Sequence, residues 1–297
     1  MLTQRNTKTL NLACIGLGWI GRNRMEVLLK SGSADVVAIV EPIKENAQQA
    51  IALAPNAKII SSGSEACSLE DVEGVVIATP SGMHAEQALH ALKAGKSVFC
   101  QKPLGRSAHE VKEIVKASRQ ADKLLAMDVS YRYTEAFQKM LEVVQSGDIG
   151  NVIGVNLVFH NAYGPDKAWA RDYNLSGGGC VIDLGIHLID MAMLCLDFPE
   201  IKDITSTMFS KGVKLNPGEE KVEDFAKIHL ITTNDVPITL DCSWHASVGK
   251  DAVIEVSLYG TCGSVSFKNM EGSFYDFKAE KYSGTSTTLL PFYPQVQ

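Results

Sequence analysis

Along the first 130 residues, unbroken apolar runs alternate with segments of helical spacing. Strands are predicted at 10–15, 35–40, 58–61, 74–78, 97–100 and 124–129, and helices at 20–31, 43–53, 83–94 and 108–121. Ser107-x-x-Glu110 opens the last helix as a capping box. The strand runs are continuous rather than alternating, as expected of strands buried on both faces, so they predict a doubly wound parallel α/β sheet. After about residue 150 the texture changes. Longer, alternating and β-branched segments at 152–160, 201–210, 222–233, 236–246, 252–259 and 262–268 predict a mostly antiparallel sheet, interrupted by one helical pattern at 179–196. The chain therefore divides into a nucleotide-binding type of domain, 1–130, and an α+β domain, 131–297. The polar bend Tyr131-Arg132-Tyr133-Thr134 marks the boundary, and the cleft between the domains is the expected substrate site.

Size and charge are consistent with that division. A chain of 297 residues with 45% hydrophobic content is long enough for two cores. A net charge of −6 without a lysine or arginine cluster argues against a nucleic-acid partner. No apolar stretch is read as reaching membrane-spanning length, and Met1 to Thr9 is polar, without a signal-peptide core. Seven cysteines without a C-x-x-C predict reduced thiols in a cytoplasmic protein, with Cys14 and Cys100 as small core residues.

The first strand runs into Gly16-Leu17-Gly18-Trp19-Ile20-Gly21, a G-x-G-x-x-G that opens a helix. In such a loop the first glycine permits a tight turn, the second lets backbone approach a pyrophosphate, and the third lets helix and strand pack closely. The second strand ends in Glu41, about twenty residues on, where a carboxylate can accept both ribose hydroxyls and would repel a 2′-phosphate. This favours NAD. Arg22, Arg24 and Lys44 leave NADP open, and a solvated acid at a strand end is the plainer alternative.

Ligands of open α/β sheets bind beyond the carboxyl ends of the strands. Two further strand ends carry candidate residues there: Thr79, Pro80 and His84 after the fourth strand, and Gln101-Lys102-Pro103 after the fifth. Together with Gly16, Gly18, Trp19, Ile20, Gly21 and Glu41, the residues Thr79, Pro80, His84 and Gln101 form the predicted cofactor set, and Lys102 stands at the rim. In the second domain, Gly177-Gly178-Gly179 precedes Asp183-x-Gly185-x-His187-x-x-Asp190. Helical spacing of four puts Asp183 and His187 on one face, where a carboxylate can orient an imidazole that acts as a general base. A structural Asp-His pair or two metal ligands are the alternatives, but no further ligands lie nearby in the sequence. The loop from His160 to Trp169 is rich in polar and aromatic groups, and Tyr163, Lys167 and Trp169 are its candidate substrate contacts, with Arg132 and Trp244 secondary.

These stretches, with Ala78-Thr79-Pro80-x-x-x-His84, Lys102-Pro103 and Ser146-Gly147-Asp148-Ile149-Gly150, make the chain resemble the family of glucose-fructose oxidoreductase, inositol dehydrogenase and MocA. The resemblance implies a Rossmann domain plus a domain with a large open sheet, NAD(P)-dependent redox chemistry on a sugar or polyol, and homodimers or homotetramers formed through that sheet. It also implies that Lys102, Asp183 and His187 are catalytic. His187 would take the hydroxyl proton, oriented by Asp183, while Lys102 stabilises negative charge on the same oxygen. Three departures stand out. The family's Glu-Lys-Pro is here Gln101-Lys102-Pro103, Arg24 replaces a frequent histidine, and the chain stops at Pro291–Gln297 where relatives continue into a helical segment, which points to a shortened chain. A glycosidase that uses NAD transiently and a non-catalytic NAD sensor are the rival functions of the same fold.

Overall fold

The structure is a computed structural model and describes residues 9–291; the polar start and the final residues after Pro291 lie outside the described part. Two compact units emerge, one reaching to Asp128 and including Asn174–Gly177, the other formed by Val129–Tyr173 with Gly178 onward.

The first unit is a six-stranded parallel sheet ordered β3-β2-β1-β4-β5-β6. Its strands are β1 Leu10–Ile15, β2 Ala34–Val40, β3 Lys58–Ile59, β4 Gly74–Ile77, β5 Ser97–Gln101 and β6 Leu125–Asp128. Five helices connect them: α1 Trp19–Ser31, α2 Lys44–Leu53, α3 Gly63–Ser68, α4 His84–Lys93 and α5 Ala108–Ala121. The period-2 alternation of strand side chains feeds two cores, one on each face. Ala13, Ile15, Val75 and Ile77 enter one with Leu92 and Ile114, while Cys14 and Val76 enter the other with Leu17, Met25 and Ile39. Burial pushes the Cys14 and Cys100 thiols up to about 12, as expected of core cysteines. All seven cysteines are unbonded. The capping box of α5 is present, with the Glu110 N–H donating to Ser107 Oγ at 3.2 Å. Strand order reverses between β1 and β4, so the Gly16 and Thr79 loops both leave at the switch point where such sheets bind ligands.

The second unit is a nine-stranded sheet ordered β15-β14-β13-β12-β7-β11-β10-β8-β9. It comprises β7 Val152–Asn161, β8 Ile201–Ser210, β9 Val213–Lys214, β10 Phe225–Thr232, β11 Pro237–Ser243, β12 Ala252–Gly260, β13 Ser264–Asn269, β14 Phe277–Ser283 and β15 Ser286–Leu289. Among the described strands of this sheet, only β7 and β11 pair in parallel. One sheet face packs Leu157, Phe159, Leu240, Val256 and Phe267 against Phe137 and Met140 of α6 (Glu135–Gln145) and against Leu188 and Met191 of the helix Ile186–Cys195. The other face is polar: Lys227 and Asp241, partners in the β10/β11 register, pair at 2.6 Å.

Two expectations need correction. The helical pattern at 179–196 is not one regular helix, because Val181–Gly185 forms a π-helical turn before the α-helix begins at Ile186. Tyr173–Cys195 is also long and apolar enough in composition to cross a membrane, contrary to the sequence reading that no stretch is. Here it is interrupted at Gly177–Gly179, carries Asp183, His187 and Asp190, and places Leu188, Met191 and Ala192 in the core.

Candidate active site

In the first unit the glycine loop can be resolved residue by residue. A Cβ on Gly16, whose φ is +82°, would lie 2.7 Å from Ala78 C and Thr79 N, and one on Gly21 would lie 2.1 Å from Gly16 O. The protein's own packing therefore demands both glycines. Gly18 is different, because a Cβ there meets nothing within 4 Å. It precedes α1, whose first turn has no side-chain cap and no acidic residue, so open space adjoins a helix start that favours an anion. This arrangement fits the pyrophosphate of a dinucleotide. Trp19, the first helical residue, is 61% exposed beside that space, and Ile20 is half-buried.

Glu41 is fixed at the edge of the same loop. Its Oε2 accepts the Leu17 N–H at 2.6 Å and its Oε1 accepts the Ile43 N–H at 2.9 Å. Each oxygen keeps a lone pair for a ribose hydroxyl. Arg22 is engaged elsewhere, donating from Nη1 to Leu17 O at 2.7 Å and to Asn46 Oδ1 at 2.9 Å.

Thr79 and Pro80 follow β4 at the switch point, with Thr79 Oγ1 donating to Gln87 Oε1 at 2.7 Å. His84 is 1% exposed, and its Nδ1 and Nε2 lie 2.7 Å from Pro103 O and from Thr79 O respectively. A neutral ring can donate to only one of these carbonyls. Burial, the dominant influence, and the nearby Lys102 charge hold its pKa below the ordinary histidine value, although both carbonyls pull upward. His84, expected among the cofactor contacts, is therefore a buried strut between the Thr79 and Pro103 loops. Lys102 is half-buried beside it, its N–H donating to Gln101 Oε1 at 3.0 Å across from the cis Lys102–Pro103 bond.

In the second unit the turn that presents Asp183 is built on Glu223. A Cβ on Gly179 would lie 1.8 Å from Glu223 O, so only glycine admits this approach. The Glu223 carboxylate accepts the Gly179 and Val181 N–H groups at 2.8 and 3.0 Å. Its burial raises the pKa, with those N–H bonds opposing. The Asp183 N–H donates to Gly179 O at 3.0 Å, and Trp244 Nε1, in a 4% exposed side chain, donates to Asp183 Oδ2 at 3.1 Å. The His187 ring packs on Tyr131 with centroids 4.8 Å apart. Burial, Tyr275 and Asp183 together raise the Tyr131 pKa. Arg132 grips Asp190 with two N–H donors. Sequence reasoning treated Tyr131 only as part of a bend and did not single out Glu223. Tyr131 lies 56 residues from His187 in number, which leaves no local signal, whereas Trp244 was a secondary candidate. Of the proposed substrate contacts, Tyr163 is exposed and lies 6.4 Å from the Phe274 ring, Lys167 is exposed, and Trp169 is half-buried.

Comparison with known proteins agrees with this architecture. A family model described as "Oxidoreductase family, NAD-binding Rossmann fold" matches residues 10–129, and one for the GFO/IDH/MocA C-terminal domain matches residues 137–266. The chain is 27% identical to inositol 2-dehydrogenase of Rhodococcus erythropolis, over 74% of this chain and 61% of the relative. It is 28% identical to 1,5-anhydro-D-fructose reductase of Ensifer adhaerens, over 71% of this chain and 62% of that one. The chain thus spans less than two thirds of either relative. Among solved structures, GenD2 from gentamicin A biosynthesis, in complex with NAD, superposes with a TM-score of 0.81 at 25% identity, covering 95% of this chain and 77% of GenD2. With both of its family models matched in order along a six-stranded Rossmann sheet and a nine-stranded open sheet, this chain belongs to the GFO/IDH/MocA oxidoreductase family.

Proposed function

We propose that the protein is an NAD-dependent oxidoreductase acting on a hydroxyl-bearing carbon of a sugar, polyol or related cyclic alcohol. The observation that carries this reading is the open space at Gly18 beside an uncapped helix start, with the Glu41 carboxylate pinned at its edge. The Gly16–Gly21 loop, Glu41, Thr79 and Pro80 hold the dinucleotide, which when bound supplies the hydride acceptor. Glu41 favours NAD over NADP, since a 2′-phosphate would meet a carboxylate while Arg22 is committed to Leu17 O and Asn46.

The chain's own groups handle the proton. His187 takes it from the substrate hydroxyl, and Asp183, held by Trp244, orients the acid–base group. Lys102 stabilises negative charge developing on the same oxygen. Tyr163, Lys167 and Trp169 contact the remaining hydroxyls of the substrate. Assembly as a homodimer or homotetramer through the nine-stranded sheet is supported by the half-buried Val158 and Val253 and the exposed Tyr259, which share the sheet face opposite the helices. A cytoplasmic setting belongs to the same proposal, on the sequence's seven scattered cysteines without a C-x-x-C.

A panel of myo-inositol, 1,5-anhydro-D-glucitol and simple glucosides, each with NAD and with NADP and followed at 340 nm, tests the proposal. NADH formation with at least one alcohol is expected. Product without accumulated NADH would identify a glycosidase, and tight NAD binding without turnover would identify a sensor.

A further inference from the structure

Gln101 and Asp128 are direct partners in the β5/β6 register, so their side chains emerge on the same face. Asp128 is only 6% exposed, and a charge so buried needs compensation. Arg24 of α1 provides it, with Nε 2.5 Å from Oδ2 and Nη2 3.4 Å from Oδ1. Asp128 Oδ2 also accepts Gln101 Nε2–H at 2.7 Å, which leaves Gln101 Oε1 to accept the Lys102 N–H at 3.0 Å. The Gln101 amide uses both of its ends. A carboxylate at position 101 could still accept from Lys102, but it would face Asp128 at hydrogen-bond distance with no donor between them.

We propose that Asp128 is a positioning residue for Lys102, with Gln101 as the link and Arg24 as the counter-ion, so that positions 24, 101 and 128 function as one unit. Gln101 and Arg24, two of the departures from the family pattern, are then one arrangement, in which the buried negative charge resides on Asp128 of the neighbouring strand and not on residue 101. The inference rests on the role given to Lys102 above.

The test compares Gln101→Glu with the charge swap Gln101→Glu/Asp128→Asn, in which the new amide Nδ2 can donate to the carboxylate at 101 while its Oδ1 still accepts from Arg24 Nη2. Turnover is read with the panel alcohol of highest kcat/KM, and exchange of the Lys102 amide is read by deuterium-exchange mass spectrometry, which needs no substrate. Gln101→Glu is expected to lower kcat about tenfold, leave KM for NAD within about twofold and speed Lys102 amide exchange about tenfold, the scale of one hydrogen bond to a charged group. The double variant is expected to return within about threefold of wild type on both readouts. Wild-type kcat and exchange in Gln101→Glu, or failure of Asp128→Asn to restore them in a protein of unchanged Tm, would overturn the proposal. Full turnover in Lys102→Ala would instead refute the role of Lys102, leaving the exchange result to decide the linkage on its own.

Discussion

Gly18→Ala separates ligand binding from folding because the structure gives the two effects opposite signs of importance at one atom. The residue has φ −59° and ψ −171°, which alanine adopts without strain, and its Cβ would meet no protein atom within 4 Å. Removing a glycine from the unfolded chain stabilises by about 0.4–1 kcal/mol, and replacing glycine by alanine at an N-cap costs about the same. The net change is about zero, so Tm should stay within about 2 °C of wild type. A methyl group in the open space pushes a pyrophosphate away from the α1 N–H groups. Loss of one charge-assisted hydrogen bond, worth about 1.5–3 kcal/mol, weakens NADH binding roughly 10- to 150-fold. Gly21→Ala behaves differently, because a Cβ 2.1 Å from Gly16 O forces helix and strand apart and lowers Tm whether or not ligand is present. NADH fluorescence titration alongside differential scanning calorimetry measures both effects. Wild-type NADH affinity in Gly18→Ala would refute the assignment of this space to the dinucleotide.

Two further predictions concern the buried supports. His84 has its pKa held below the ordinary histidine value of 6.5, so its neutral form contributes stability that is complete above that value and is lost as pH falls through the lowered folded-state pKa. The Tm advantage of wild type over His84→Phe should therefore shrink from pH 7.5 to pH 5; an advantage that grew on acidification would show that the two carbonyls hold the ring as a cation. Trp244→Phe keeps the buried ring but removes the donor to Asp183 Oδ2, and kcat should fall about tenfold with KM for NAD unchanged. A normal kcat would dissociate Trp244 from the site.

Much of the fold could be read from the chain because its signals were local. Unbroken runs such as Val36–Val40 and Val75–Ile77 belong to strands buried on both faces, and helix α5 matches its predicted range of 108–121. Elements with weaker or unread patterns were missed. Strand β14 carries Lys278, Glu280 and Lys281 with only Phe277 and Ala279 buried, and β15 is a four-residue exposed Ser-Thr-Thr-Leu. Helix α6 does have a legible stripe, Ala136, Phe137, Met140 and Leu141, which the reading passed over beside the domain boundary. The candidate site divides in the same way. The glycine loop, Glu41 and the Asp183–His187 motif show in short stretches, whereas the Glu223 cap lies 42 to 44 residues from the N–H groups it holds. Asp128 likewise meets Arg24 across 104 positions and Gln101 across 27. Spacing rules that operate over one or two turns of helix carry no information about such contacts. The π-helical turn at Val181–Gly185 was hidden for a related reason, since it is accompanied by a close approach of Gly179 to the distant Glu223 backbone.

The central claim is that bound NAD is reduced while Lys102 and His187 manage the substrate hydroxyl. Its most direct test is NADH formation at 340 nm, measured with the alcohol panel for wild type, Lys102→Ala and His187→Ala at matched cofactor saturation. One NADH per molecule of alcohol oxidised is predicted for wild type, with kcat about 100-fold lower or less still in each variant and NADH affinity retained. Near-wild-type turnover in either variant, or product formed without NADH, would contradict the account.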